Sequence, residues 1–273
     1  MVTATTQVNS LRYTMSKEFQ HLKFKIDDRV ARITFARPPL NVFNIAMMRE
    51  MGTALNECLP ERDLAAIVFD AAPETRCFSA GVAVEEHVPE TVFQMLDSFH
   101  SVFRLLAQIS RPVIAVVDGP ALGGGCELVA ACDIVIVSER ARFGQPEIKL
   151  GVFPPVAAIL LPRIIGEKRA RELIMLGDMI DAAEALRLGL VNYVVTSAEL
   201  EPKLESVLAK LRDLSASALA MTRAALDLGR QNSFQSALDE VENLYLHELM
   251  KTEDAHEGVR SFMEKRKPEW RHK

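Results

Sequence analysis

Four cysteines and one tryptophan in 273 residues, with no long apolar run, set the first limits. Cys58, Cys77, Cys126 and Cys132 form no C-x-x-C pair, so they read as buried free thiols in a reducing compartment. His87 and His100 are too isolated to start a metal cluster, and no metal is expected. No basic block appears before the C-terminus and the formal net charge is −5. That argues against a nucleic-acid surface, because phosphate binding needs concentrated positive charge. No stretch approaches the ~18 apolar residues of a membrane span. Residues 1–17 hold one arginine, no acidic residue and no hydrophobic stretch. They are not a secretory signal and read as a disordered leader. A cytoplasmic protein is expected.

What is present points to a packed α/β core. Hydrophobic residues make up 49% of the chain, enough for one large domain with a smaller appendage. Residues 21–27 and 30–36 alternate apolar and polar around Asp27-Asp28-Arg29, a hairpin pattern. Arg37-Pro-Pro breaks the second strand. Asn44 is placed to cap a helix running towards Cys58. Residues 65–70, 113–117 and 134–137 read as short buried strands, and residues 90–109 as an amphipathic helix. Strands therefore alternate with helices to about residue 140. Beyond Pro154 the pattern is mostly helical, with segments at 167–176, 181–188, 198–214, 216–230, 233–249 and 252–267. Asp181 and Glu184 have the spacing of a capping box, and Gly189 ends that helix.

Two glutamates stand out, twenty positions apart, each in a glycine-marked segment. The first segment is Gly119-Pro-Ala-Leu-Gly-Gly-Gly-Cys-Glu127; the second is Phe143-Gly-Gln-Pro-Glu147-Ile-Lys-Leu-Gly151. Gly123, Gly124 and Gly125 follow a strand and open a helix. Helix N-termini carry unpaired N–H groups and partial positive charge, and glycines let a ligand approach them. Such a turn can cradle an anion or a carbonyl, or simply pack helix on strand. A phosphate loop would end in Gly-Lys-Ser/Thr, which is absent here. Glu127 sits in an apolar stretch and must be paired, hydrogen-bonded or protonated. Glu147, taken alone, reads as an exposed loop residue. Together, two carboxyls beside a glycine turn can hold one water while backbone N–H groups polarise a carbonyl.

With a second glycine turn at Ser79-Ala-Gly81-Val82, the chain resembles the crotonase (enoyl-CoA hydratase/isomerase) superfamily from about His21 to Lys267. The resemblance rests most on Ala121-Leu-Gly-Gly-Gly-Cys-Glu-Leu, Cys132-Asp-Ile and Phe143-Gly-Gln-Pro-Glu-Ile. It implies an α/β spiral of ββα units over 18–205 and a C-terminal helical oligomerisation region over 206–273. It implies an acyl-CoA substrate, trimers or paired trimers, and no cofactor beyond the CoA carried by the substrate. The thioester oxygen would lie between the backbone N–H groups of Val82 and Gly124, with Ala80, Gly81 and Gly123 shaping the turn. Retention of both Glu127 and Glu147 favours hydration over isomerisation, dehalogenation or thioester hydrolysis; the resemblance suggests that Glu127 activates water and Glu147 delivers the proton, while the residues themselves fit either assignment.

Departures from the family pattern bear on the substrate. Glu85 stands where hydratases carry a CoA-contacting lysine. Phe262 and Lys265 match the segment that reaches a neighbouring subunit's CoA site; a solvated basic tail is the alternative. Leu150-Gly-Val-Phe-Pro-Pro155-Val-Ala-Ala replaces a glycine-rich run. Phe153, Pro155, Val156 and the alanines would make the acyl pocket bulkier and more apolar. This variant is similar to hydratases of cyclohexa-1,5-diene-1-carbonyl-CoA in aromatic degradation. A short linear enoyl-CoA is the competing substrate. An inactive acyl-CoA-binding protein and a nucleotide-binding α/β protein are the competing classes.

Overall fold

The computed structural model describes residues 15–229 and 233–273. The hairpin forms as its pattern predicts, from β2 (Leu22–Asp27) and β3 (Val30–Phe35). Asp28 and Arg29 between them adopt φ of 47° and 64°, the left-handed pair that suits a two-residue hairpin turn. β1 (Met15–Glu18) pairs antiparallel with β2. Residues 15–17, read from sequence as leader, thus belong to an edge strand; residues 1–14 lie outside the described residues.

α1 (Ile45–Cys58) starts where expected, the Asn44 side chain accepting from the Met47 N–H at 3.0 Å. β4 (Ala66–Ala71), α2 (Val92–Gln108) and β5 (Val113–Val117) follow. Next come β6 (Pro120–Leu122), α3 (Gly124–Ala130), β7 (Ile134–Ser138) and β8 (Arg142–Gly144). α4 (Pro155–Ile165), α5 (Glu167–Leu176), β9 (Met179–Asp181), α6 (Ala182–Leu188) and β10 (Tyr193–Val195) form the next stretch. α7 (Leu200–Arg212), α8 (Ala216–Gly229), α9 (Phe234–His247) and α10 (Glu253–Met263) complete the chain.

One sheet runs β1-β2-β3-β4-β5-β7-β10, antiparallel through the hairpin and parallel from β3 onward. Alternate residues serve opposite faces. Ile67, Phe69, Val113 and Ala115 join the main core with α1 and α2, whereas Ala66, Val68 and Ile114 meet Leu200, Leu204 and Leu208 of α7. Burial on both faces explains why these strands read as unbroken apolar runs. A second sheet, β6-β8-β9, lies where the two glycine-marked segments meet.

Beyond Pro154 the sequence reading needs corrections. β9 and β10 interrupt the helical stretch, and at three residues each they are too short to show a two-residue period. Asp181 caps α6 through the Glu184 N–H at 2.9 Å. The Glu184 carboxylate does not close a capping box; it pairs with Arg187 instead. A complete box forms at Thr196 and Glu199. α10 stops at Met263 rather than Lys267, because Lys265 turns to φ 53° and Arg266 folds back onto Glu257.

The tail after α10 is fastened by a buried carboxylate. Asp254 is 2% exposed and accepts from the Ser215 hydroxyl at 2.5 Å and from the N–H groups of Arg271 and His272 at 2.6 and 3.0 Å. With the Ser217 hydroxyl at 3.4 Å, four donors share one side chain, so Asp254→Ala should destabilise the protein by about 2–3 kcal/mol. Denaturant unfolding checks this; a loss below about 0.5 kcal/mol would contradict the anchoring role.

Candidate active site

Two turns approach each other on the core side of the sheet. Residues 77–82 are locked by Asn41, whose Nδ2 donates to the Cys77 carbonyl at 3.0 Å while its own carbonyl accepts from Ser79 at 2.8 Å. Gly81 adopts φ +102°, and a Cβ there would come within 3.1 Å of the Leu122 carbonyl. A Cβ on Gly124 would fall 2.9 Å from both Phe99 and the Val82 side chain. Glycine is needed at 81 for the backbone angle and at 124 for the close approach. The Val82 side chain therefore helps to reserve position 124 for glycine. Neither the Val82 N–H nor the Gly124 N–H finds an acceptor among the described residues.

Glu127 lies one helical turn into α3 and is 2% exposed. Its Oε1 accepts from the Ala157 N–H at 2.8 Å, in the first turn of α4. Pro155 opens α4 with no N–H to give, yet the donor that Glu127 needs lies two residues further on. Val156, Ala157 and Ala158 are thus helix α4, and the chain's bulk at the cavity comes from Phe153, Pro154 and Pro155 instead.

Glu147, which alone reads as an exposed loop residue, is drawn inward. It sits in the 3-10 turn Pro146–Leu150, closed by Gly151 at φ +77°. Its Oε2 is buried without a partner in the described structure. Its Oε1 lies directly over Gly123, only 2.5 Å from where a Cβ would be. Burial pushes both carboxyls up to about 7. The Ala157 N–H pulls Glu127 back down, while the Glu147 charge pushes it further up.

These shifts bear on stability. The folded protein holds protons that the unfolded chain releases between about pH 4.5 and 7, so stability is lost as pH rises through that window. Each Glu→Gln variant removes a buried charge. Near pH 8, Glu127→Gln and Glu147→Gln should each unfold at higher denaturant than wild type, by up to about 3 kcal/mol. Near pH 4 the gain should vanish. Equal stabilities at both pH values would contradict the burial of ionised carboxyls.

Glu127 and Glu147 line one cavity of about 370 Å³. Ala80, Gly81, Val82, Gly123, Phe153 and Pro155 line it too, so most of the sequence-identified residues converge. Gly124 is not itself a lining residue but adjoins Gly123, and a side chain on it would run into Val82 and Phe99. Phe262 and Lys265, expected at a neighbouring subunit's CoA site, do not line the cavity of their own chain; Phe262 is 85% exposed on α10. Sequence reasoning missed the opposite wall, Met95, Leu96 and Phe99 of α2, although their helical spacing marked an apolar face. It also missed His87, set aside as isolated, and the backbone donor at Ala157, which carries no side-chain signal.

Known proteins resemble this chain over most of its length. The family model for enoyl-CoA hydratase/isomerase matches residues 25–273. The cyclohexa-1,5-dienecarbonyl-CoA hydratase of Thauera aromatica is 38% identical over 244 residues, covering 89% of this chain and 93% of that protein. A probable enoyl-CoA hydratase of Mycobacterium leprae is 40% identical over 251 residues, 90% of this chain and 95% of its own. The solved structure of an enoyl-CoA hydratase from Mycobacterium smegmatis superposes with a TM-score of 0.85 at 29% identity, over 94% of this chain and 98% of that one. With a family model matching residues 25–273, relatives 38–40% identical over 89–90% of the chain and a shared α/β fold, the chain belongs to the enoyl-CoA hydratase/isomerase family, the crotonase superfamily.

Proposed function

We propose that the protein adds water to an α,β-unsaturated acyl-CoA thioester, and that the acyl group is a cyclic diene of the cyclohexa-1,5-diene-1-carbonyl type. The protein is an enoyl-CoA hydratase-type lyase. The observation that carries this reading is the pair of buried carboxyls flanking a glycine turn whose N–H groups at Val82 and Gly124 have no acceptor.

The thioester oxygen accepts from those two N–H groups, which stabilise negative charge as it develops. Glu127, anchored by the Ala157 N–H, is the carboxylate that takes a proton from water as the oxygen attacks the β carbon. The electrons pass to the thioester oxygen as an enolate. Glu147, whose buried Oε2 has no donor to favour its charge, gives its proton to carbon. Return of the proton from Glu127 to Glu147 restores the starting state, so the net change is addition of one water. With a cyclic diene the intermediate is a dienolate, and the proton lands on a distal ring carbon. No cofactor takes part; CoA enters with the substrate.

The apolar wall from α2 and the rim at Phe153, Pro154 and Pro155 suit a flat ring better than a long chain. The Thauera aromatica relative supports the same choice. Turnover of the cyclic dienoyl-CoA should exceed that of crotonyl-CoA in kcat/KM by about tenfold or more. Substantially faster crotonyl-CoA hydration would remove the ring preference and leave a short linear enoyl-CoA. We further propose that the region 206–273 mediates trimers or paired trimers, supported by exposed Phe234, Phe262 and Met263.

A further inference from the structure

Three polar side chains line the cavity, and the proposed chemistry uses two of them, Glu127 and Glu147. The third is His87. It follows directly on a 3-10 turn, Val84–Glu86. That turn is fastened to the start of α1, because the Glu86 carboxylate accepts from the Ile45 N–H at 2.9 and 3.1 Å. The Thr91 hydroxyl donates to the Glu86 carbonyl at 3.0 Å and holds the other side.

The imidazole is fixed as well. Its Nδ1 lies 2.9 Å from the Ala83 carbonyl oxygen. A carbonyl oxygen only accepts, so Nδ1 carries the proton and the neutral ring keeps Nε2 as a lone-pair acceptor. Nε2 has no hydrogen-bond partner among the described residues. Apart from the two glutamates, the other side chains that line the cavity are apolar, Val84, Val92, Met95 and Leu96 among them. A residue serving only to fill space there needs no acceptor, and leucine would fill it without one. An acceptor that a substrate must desolvate favours a ligand that returns the hydrogen bond.

We infer that His87 is a specificity-determining residue whose Nε2 accepts a hydrogen bond from a hydroxyl on the acyl group, away from the reacting carbons. The inference rests on the acyl-CoA reading above. The two glutamates set the reaction; His87 tunes which acyl groups are preferred, so that among rings of the proposed cyclic-diene type those carrying a hydroxyl away from the reacting carbons are favoured over the unsubstituted ring.

Binding of saturated, unreactive thioesters tests this without turnover. Calorimetry on the full-length protein compares hexanoyl-CoA with its 4-, 5- and 6-hydroxy derivatives, and cyclohexanecarbonyl-CoA with its 3- and 4-hydroxy derivatives. At least one hydroxylated compound should bind about tenfold tighter than its parent. In His87→Leu that ratio should fall to near one. In His87→Gln, which keeps an acceptor, part of it should remain. A ratio near one in the wild type, or an undiminished ratio in His87→Leu, overturns the inference. If no acyl-CoA in either series binds, the underlying acyl-CoA reading fails instead, and His87 fails with it.

Discussion

Glu147→Gln should lower kcat by about 10²–10⁴-fold while leaving the affinity for a saturated acyl-CoA within a few-fold of wild type. The glutamine keeps the size of the side chain and its place over Gly123, but has no proton to give to carbon. Glu127→Gln should fall in the same range. Its side-chain oxygen still accepts from the Ala157 N–H, so α4 stays in register with α3. Because both residues act on one water addition, the double variant should be little worse than the poorer single one. Steady-state kinetics beside calorimetry separate this from a folding defect. Loss of less than tenfold in both single variants would place the chemistry elsewhere.

Gly123→Ala should act on the same step by another route. Gly123 holds φ 52° and ψ −125°, a combination for glycine alone, and a Cβ there would lie 2.5 Å from Glu147 Oε1. The carboxyl is the far end of a flexible side chain, so it gives way rather than the backbone. Activity should fall at least 100-fold, as the displaced acid cannot reach the carbon. Backbone strain should cost a further ~1–3 kcal/mol of stability. Gly166→Ala is the control. Gly166 has φ +80° with open space around its would-be Cβ, so alanine there should bring only strain and leave kcat unchanged. If Gly123→Ala stays as active as Gly166→Ala, Glu147 does not hold the position proposed for it.

The site was legible because its parts are local in sequence. The triple glycine, Glu127 and the strand before it all lie between residues 113 and 127, and the Gly81 turn requires a backbone that only glycine adopts easily. Buried strands such as residues 113–117 read as apolar runs, since both faces of the sheet are covered. What stayed hidden depends on distant contacts. Glu147 is pulled inward only because residues 143–151 meet the Gly123 turn through β6 and β8. The Ala157 N–H becomes a partner for Glu127 only once α4 docks beside α3. His87 gains meaning from its ring contact with Ala83 and from the cavity beside it, neither of which a lone histidine announces. Three-residue strands such as β9 and β10 are fixed by their neighbours rather than by their own period.

A crystal structure with butyryl-CoA bound tests the central claim most directly. The thioester oxygen should lie within about 3.2 Å of both the Val82 and Gly124 nitrogens, with the β carbon between the carboxyls of Glu127 and Glu147. A thioester oxygen away from those two amides, or an acyl chain outside the cavity that holds the glutamates, would contradict the account.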